Sequence, residues 1–193
     1  MTCTFAPCFK QAKAQDSPIT PAPNMVTSGV ANVLSIRHLY PMDIDQPFDP
    51  DHHLDWRGTV PVSTQFDDPY YSFDDGVAET QHVFMGGNDL PRRFQDGFHI
   101  AETGFGTGLN FLVALKSWRD TNIGGRLFFT SFEAFPLPAR VIRQAHRAFP
   151  DLMPLSDEID WTQTQITFPD AVLTILQGDA RQTLPRWDGM ANA

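Results

Sequence analysis

From Phe98 onward, apolar positions alternate between two periods, and the pattern predicts strand, helix, strand, helix, strand. Phe98–Ala101 is a short apolar run closed by Glu102. Gly104, Gly106 and Gly108 follow at every second position. Leu109, Phe111, Leu112 and Leu115 then recur at helical spacing, which predicts a helix from about Gly108 to Arg119, broken by Gly124-Gly125. Leu127–Glu133 is almost continuously apolar, as in a strand covered on both faces. Pro136 and Pro138 open a second helix with Val141, Ile142, Ala145 and Phe149 on its apolar side, and Pro150 closes it. Leu152–Asp160 reads as a further helical turn. Trp161–Phe168 reads as a hairpin arm against Ala171–Leu176, the third strand. Gly178-Asp179-Ala180 follow, then a short helix over Arg181–Leu184 cut by Pro185.

Upstream the periods are weaker. Residues 1–32 are rich in Pro, Ser and Gly with few periodic apolar positions, and read as a disordered leader. Residues 33–97 read as a small β-rich extension. Within it, Val33–Tyr40 is a short strand and Pro41–Asp55 is turn-rich. Leu54–Phe73 is a hairpin or a pair of edge strands, because it contains Gly58 and Pro61. After the Asp74-Asp75-Gly76 turn, Val77–Met85 predicts a helix anchored by Val77, Val83 and Phe84. Leu90–Gln95 predicts a second, shorter one behind an Asn88/Asp89 cap. Residues 98–193 make the first half of a doubly wound α/β domain.

Composition narrows the classes. The 193 residues are 41% hydrophobic and 12% aromatic, enough for one core. A net charge of −9 argues against a generic nucleic-acid coat, which needs clustered Lys and Arg. The two cysteines, Cys3 and Cys8, lack zinc-pair spacing, and His52-His53 lacks partners at ligand spacing, so no metal site is expected. No apolar run is long enough to span a bilayer, and no basic-then-apolar signal opens the chain. These features read as a cytoplasmic protein in a reducing compartment.

The glycine turn carries the chemistry. Glycine admits positive φ and close approach of a ligand to the backbone, and the following helix aims free N–H groups into the turn. Gly108 comes two residues after Gly106, whereas a dinucleotide fingerprint needs three. No lysine follows Gly108, so a P-loop is excluded. Glu102 before the turn would repel a pyrophosphate and suits a cationic or amine-bearing ligand. All three strands end in an acid, Glu102, Glu133 and Asp179, at the edge where such sheets bind ligands. The second suits ribose hydroxyls and the third an adenine amino group. Acid then G-x-G-x-G resembles the first motif of class I methyltransferases that bind S-adenosylmethionine (SAM). NAD also fits through the ribose acid, and the glycine spacing carries the choice. Asp67-Asp68 with Tyr70-Tyr71 is either a polar lip of the site or a capped turn with core tyrosines. Arg92, Arg93, Arg140, Arg143 and Arg147 are either phosphate contacts or solvated helix faces.

Four stretches together resemble the methyltransferase domain of the bacterial MnmC/MnmD family of tRNA wobble-uridine enzymes. They are Pro61–Ser72, Glu79–Phe84, Glu102–Phe111 and Ser131–Leu137, and the likeness runs over roughly Leu54–Asp188. The resemblance implies a Rossmann-like, class I SAM-dependent methyltransferase fold. It implies methyl transfer to the primary amine of 5-aminomethyl-(2-thio)uridine at tRNA position 34. By the same likeness Glu102, Thr103, Gly104, Gly106, Thr107, Gly108, Asn110, Glu133, Ala134, Asp179 and Ala180 hold SAM, and Asp67, Asp68 and Tyr70 meet the substrate. In many members an FAD-dependent oxidase domain follows. A catalytic aspartate after strand four, in a Leu-Asp-Gly-Phe-x-Pro-like motif, has no counterpart here: the sequence stops at Asp188–Ala193, where strand four would begin. The expectation is therefore a fragment, incomplete at the C-terminus, with strand one an open apolar edge prone to pairing with other chains. It should bind SAM poorly or act as a non-catalytic remnant.

Overall fold

A computed structural model of the chain describes residues 53–193. The leader, the strand over Val33–Tyr40, Cys3, Cys8 and His52 lie outside the described residues.

The described chain opens with a three-stranded antiparallel sheet: β1 (Leu54–Arg57), β2 (Val60–Ser63) and β3 (Asp68–Pro69). Gly58 turns β1 into β2 with φ 65°, and Val60 and Val62 are buried. The Tyr71 hydroxyl just beyond donates to the carbonyls of Thr59 (2.7 Å) and Ala145 (3.2 Å), and its ring meets Phe149 edge-on at 4.9 Å. The small sheet is thereby tied to a helix of the main layer.

α1 (Gly76–Glu79) starts on an Asp75 cap, whose side chain accepts from Ala78 N–H. It runs on as a π-helix over Thr80–Gly86. Here the structure corrects the sequence. Val83, expected as an anchor, is 57% exposed, whereas Thr80 and Met85 are buried. Bonding from i to i+5 stacks residues five apart on one face, so the buried side is not the one a 3.6-residue period selects. Leu90–Gln95, expected as a second helix, is not one. Pro91 has no N–H to give, and the segment closes as separate turns, Arg93 N–H to Asp89 O (3.2 Å) and Phe94 N–H to Pro91 O (2.9 Å).

The main sheet follows the expected sequence. β4 (His99–Thr103), α2 (Leu109–Thr121), β5 (Leu127–Glu133), α3 (Ala139–His146), a 3₁₀ turn at Pro150–Leu152, α4 (Met153–Asp157), β6 (Gln165–Thr167), β7 (Ala171–Gln177) and α5 (Ala180–Thr183) come in order. The strand order is β4-β5-β7-β6. β4, β5 and β7 are parallel, and β6 folds back antiparallel on β7 as the outer hairpin arm. On one face Ile100, Phe129 and Leu173 pack under Phe111, Leu112 and Leu115 of α2, all essentially buried. On the other face Trp187 sets its ring edge-on to His99 (5.4 Å) and Phe132 (5.6 Å). Arg119 at the end of α2 grips Asp170 through Nε (2.8 Å) and Nη2 (3.2 Å), fastening the helix to the β6–β7 turn.

The edge of β4 is not open. Ala193 N–H donates to His99 O (3.4 Å) and Ala101 N–H donates to Ala193 O (2.9 Å), while Asn192 N–H reaches His99 O (2.7 Å). One residue bonded to the two that flank a position on its neighbour is the pattern of a parallel ladder. The final residues thus lie beside β4, on the side opposite β5, and take up backbone groups expected to be free.

Candidate functional site: the carboxyl edge of the sheet

Adjacent strand ends are stitched together where β4, β5 and β7 stop. Gly104 N–H donates to Phe132 O and Gly178 N–H to Glu133 O, both at 2.8 Å. This brings the three expected acids to neighbouring positions along one sheet edge. The turn after β4 uses its glycines as the sequence predicts: φ is 85° at Gly104, 54° at Gly106 and 75° at Gly108. A Cβ on Gly104 would meet open space. One on Gly106 would come within 3.2 Å of the Tyr70 ring, and one on Gly108 within 2.8 Å of Phe105. The loop is therefore exposed at its first glycine and packed at the other two.

Glu102 and Ser131 are cross-strand neighbours on the α2 face. Glu102 is only 8% exposed. Its Oε2 accepts from the Asn110 amide (3.0 Å), and Asn110 Oδ1 in turn accepts from the Thr80 hydroxyl (3.2 Å). Glu102 Oε1 and Ser131 Oγ have no hydrogen-bond partner. Burial pushes the Glu102 carboxyl up from 4.5 to about 8; the Asn110 amide and the nearby Ser131 hydroxyl offset part of that, and the charge of Glu133 adds to it.

Glu133 is also buried, but both its oxygens are engaged. Oε2 accepts from Gly106 N–H (2.9 Å) and Oε1 from Phe135 N–H (2.7 Å). It closes the glycine turn onto the end of β5. The Tyr70 hydroxyl is pushed up to about 12, chiefly by burial and then by the Glu133 charge, so Tyr70 stays neutral against Gly106.

Other expected residues sit differently. Asp179 caps α5, accepting from Arg181 N–H (2.9 Å), and the Arg181 guanidinium forks onto the same carboxylate and lowers its pKa. Asp67 is in the left-handed region at φ 48°; its side chain is 87% exposed and pairs with Arg57 at 3.4 Å. Asp68 lies in β3, Thr103 and Ala134 are exposed, and Ala180 opens α5. Tyr70 is thus the member of the Asp67–Asp68–Tyr70 group that packs on the glycine loop.

Sequence reasoning missed the groups behind the loop. His146 on α3 is fully buried. Its Nε2 lies 2.7 Å from Thr107 O and its Nδ1 2.7 Å from Ser156 Oγ, while Trp161 Nε1 donates to Ser156 O (3.1 Å). The signal available was a histidine directly after Ala145 on an otherwise apolar helix face. Thr80 lies in one of the stretches that carry the resemblance, but nothing local announces its bond to Asn110.

Among the described residues, no group of three or more His, Cys, Asp or Glu is placed to hold a metal ion, and no helix is long and apolar enough to cross a membrane.

A parallel sheet with a glycine turn and acids at its carboxyl edge defines a Rossmann-like α/β protein. A solved structure of MnmC2 from Aquifex aeolicus shares this fold, with a TM-score of 0.51 and 21% identity over 68% of this chain and 43% of that one. No protein-family model matches the chain. In sequence it matches proteins named tRNA 5-methylaminomethyl-2-thiouridine biosynthesis bifunctional protein MnmC. Identity is 48% over 119 residues with that of Aeromonas salmonicida, covering 56% of this chain and 18% of the relative. It is 46% over 111 residues with that of Leptospira borgpetersenii (54% and 17%) and 38% over 147 residues with that of Cupriavidus necator (69% and 22%). The chain is a homologue of part of the MnmC proteins, in keeping with the resemblance seen in its motifs. It spans about a fifth of the length of these curated relatives.

Proposed function

We propose that this chain carries the SAM-binding half of a tRNA methyltransferase. Its substrate would be the primary amine of 5-aminomethyl-(2-thio)uridine at the wobble position, and the product the 5-methylaminomethyl base. The observation that carries the reading is Glu102: a buried carboxyl with one oxygen steadied by Asn110 and the other unpartnered, beside an open glycine turn. A buried carboxyl left in that state suits an ammonium group, which supplies both charge and N–H donors. The names of the MnmC relatives point to the same tRNA base.

The residues present fit SAM. Glu102 would hold its amino group, Gly104 would let its chain approach the backbone, and Glu133 would accept from the ribose while keeping the turn shut. Asp179 and Ala180 border the end where the base would lie, with Arg181 already on the Asp179 carboxylate. When bound, SAM supplies a methyl group activated by a sulfonium. The chain's own contribution is to hold the two reactants in line and shed water, the main source of rate in such a transfer. Tyr70, neutral and packed on Gly106, would form a wall of the substrate side with Asp67 and Asp68. The amine must arrive neutral and give up a proton after attack. The partner is tRNA; a fused or separate oxidase domain, with FAD, belongs to the wider reading of the family.

Titration with SAM and, separately, with NAD tests the cofactor. Tritium transfer from labelled SAM into hypomodified tRNA tests the reaction. Binding of NAD with indifference to SAM would overturn the reading in favour of an oxidoreductase. SAM binding without transfer would leave a cofactor-binding remnant.

A further inference from the structure

We infer that His146 is a positioning residue of the glycine turn, and that the Thr107–Gly108 end of the turn keeps its ligand-binding shape through this buried imidazole while Glu133 holds Gly106 from the other side. The inference rests on the cofactor reading above. Three glycines in five residues give the Gly104–Gly108 segment unusual freedom in the backbone. Something must select one conformation, and the polypeptide itself supplies little bias. The peptide unit joining Thr107 and Gly108 is pinned at both ends. Its N–H donates to Phe105 O at 2.8 Å, and its carbonyl oxygen lies 2.7 Å from His146 Nε2. A carbonyl only accepts, so His146 carries its proton on Nε2 and accepts at Nδ1 from the Ser156 hydroxyl, 2.7 Å away. Burial lowers the imidazole pKa to about 4, which keeps the ring neutral and this tautomer in place at neutral pH.

The clamp extends to Gly108. Trp161, whose indole N–H donates to Ser156 O, lies edge-on to the His146 ring at 5.1 Å. Its Cζ3 sits 3.1 Å from where a Gly108 Cβ would be. His146, Ser156 and Trp161 therefore form the back wall of the turn; His146 and Ser156 are buried behind it, while Trp161 also lines a cavity with Phe105, Leu137, Ile175 and Gln177 near the carboxyl ends of β5 and β7. The action of His146 and Ser156 on a ligand is through the loop: they fix the residues that lead into α2 and the backbone that Glu133 grips from the other side.

The test uses the full chain with His146→Leu, His146→Gln and Ser156→Ala. Gln can donate to Thr107 O and accept from Ser156; Leu can do neither. Backbone amide exchange over 104–109 is read against β5, and SAM affinity by calorimetry. In His146→Leu, loop exchange should speed up and SAM affinity fall, each by roughly tenfold, the effect of one lost buried hydrogen bond. β5 should exchange at its wild-type rate. His146→Gln should recover to within about threefold. Should His146→Leu fail to fold, Ser156→Ala, which leaves the imidazole but frees its orientation, should show the same selective loosening at about half the logarithmic size. Unchanged loop exchange in a folded variant overturns the clamp, as does loosening spread evenly over β5. If the wild type binds no SAM, the cofactor reading falls, and the exchange measurement still decides the clamp.

Discussion

Glu102→Gln should make the protein more stable, and increasingly so as pH rises from 6.5 to 8. A carboxyl whose folded pKa stands near 8, against about 4.5 unfolded, binds its proton more tightly in the native state. Between those values the unfolded chain has released the proton and the folded chain has not. Stability therefore falls with rising pH across that window. At about 1.4 kcal/mol per pH unit, the full span costs at most about 5 kcal/mol. His146 works in the opposite direction. Its pKa is held down to about 4 against 6.5 unfolded, so it favours folding as pH climbs from 4 to 6.5 and adds no slope above that. The two slopes cancel between about 4.5 and 6.5. Glu102 then acts without that opposition from 6.5 to 8, where wild-type stability should drop by about 2 kcal/mol. The glutamine of Glu102→Gln carries no charge to bury and offers an amide donor to the unpartnered Ser131 Oγ while still accepting from Asn110. Urea unfolding at pH 6.5 and 8 measures both proteins. The wild type should lose midpoint over that range and the variant should not. Parallel curves, or a variant less stable at both pH values, would refute the buried-acid account.

The same carboxyl governs ligand affinity. SAM should bind more tightly as pH rises from 6 toward 8, releasing a proton at neutral pH, which isothermal calorimetry detects as a dependence of heat on buffer; Glu102→Gln should abolish that dependence and weaken binding at least tenfold. Gly108→Ala places a Cβ 2.8 Å from Phe105 at φ 75°, and should cost about 2 kcal/mol or more in unfolding free energy and abolish cofactor binding. Tyr71→Phe removes a hydroxyl that serves both Thr59 and Ala145; a loss of about 1–2 kcal/mol is expected in thermal or urea unfolding, with SAM affinity unchanged.

Much of this architecture is legible in the order of residues because hydrophobic runs and glycines are local signals. Leu127–Glu133 is a strand with the bounds its apolar run suggests, and so nearly is Ala171–Gln177; the arm expected over Trp161–Phe168 is strand only at Gln165–Thr167, because Asp160 gathers Thr162 and Gln163 into a turn. Glu102 and Glu133 come to one edge because parallel strands in register bring their ends together, and Asp179 follows the end of the next strand. What sequence could not show depends on partners far along the chain. His146 reads as one polar residue on an apolar helix, and only folding brings Thr107 and Ser156 to its two nitrogens. The free edge expected for β4 failed because Asn192 and Ala193, with no strand signature, lie alongside it. Even a near partner can be silent: Arg181, two residues on, folds its guanidinium back over the Asp179 carboxylate, which no local pattern announces.

The wide turn at Thr80–Gly86 has a consequence for reading homologues. Such a turn accommodates one residue more than a regular helix of the same rise. A relative shorter by a single position there would wind normally and present a different side chain to Asn110. Column-by-column comparison across that gap would then pair Thr80 with a residue that no longer supports the acid at the sheet edge, and the loss of support would look like a tolerated substitution.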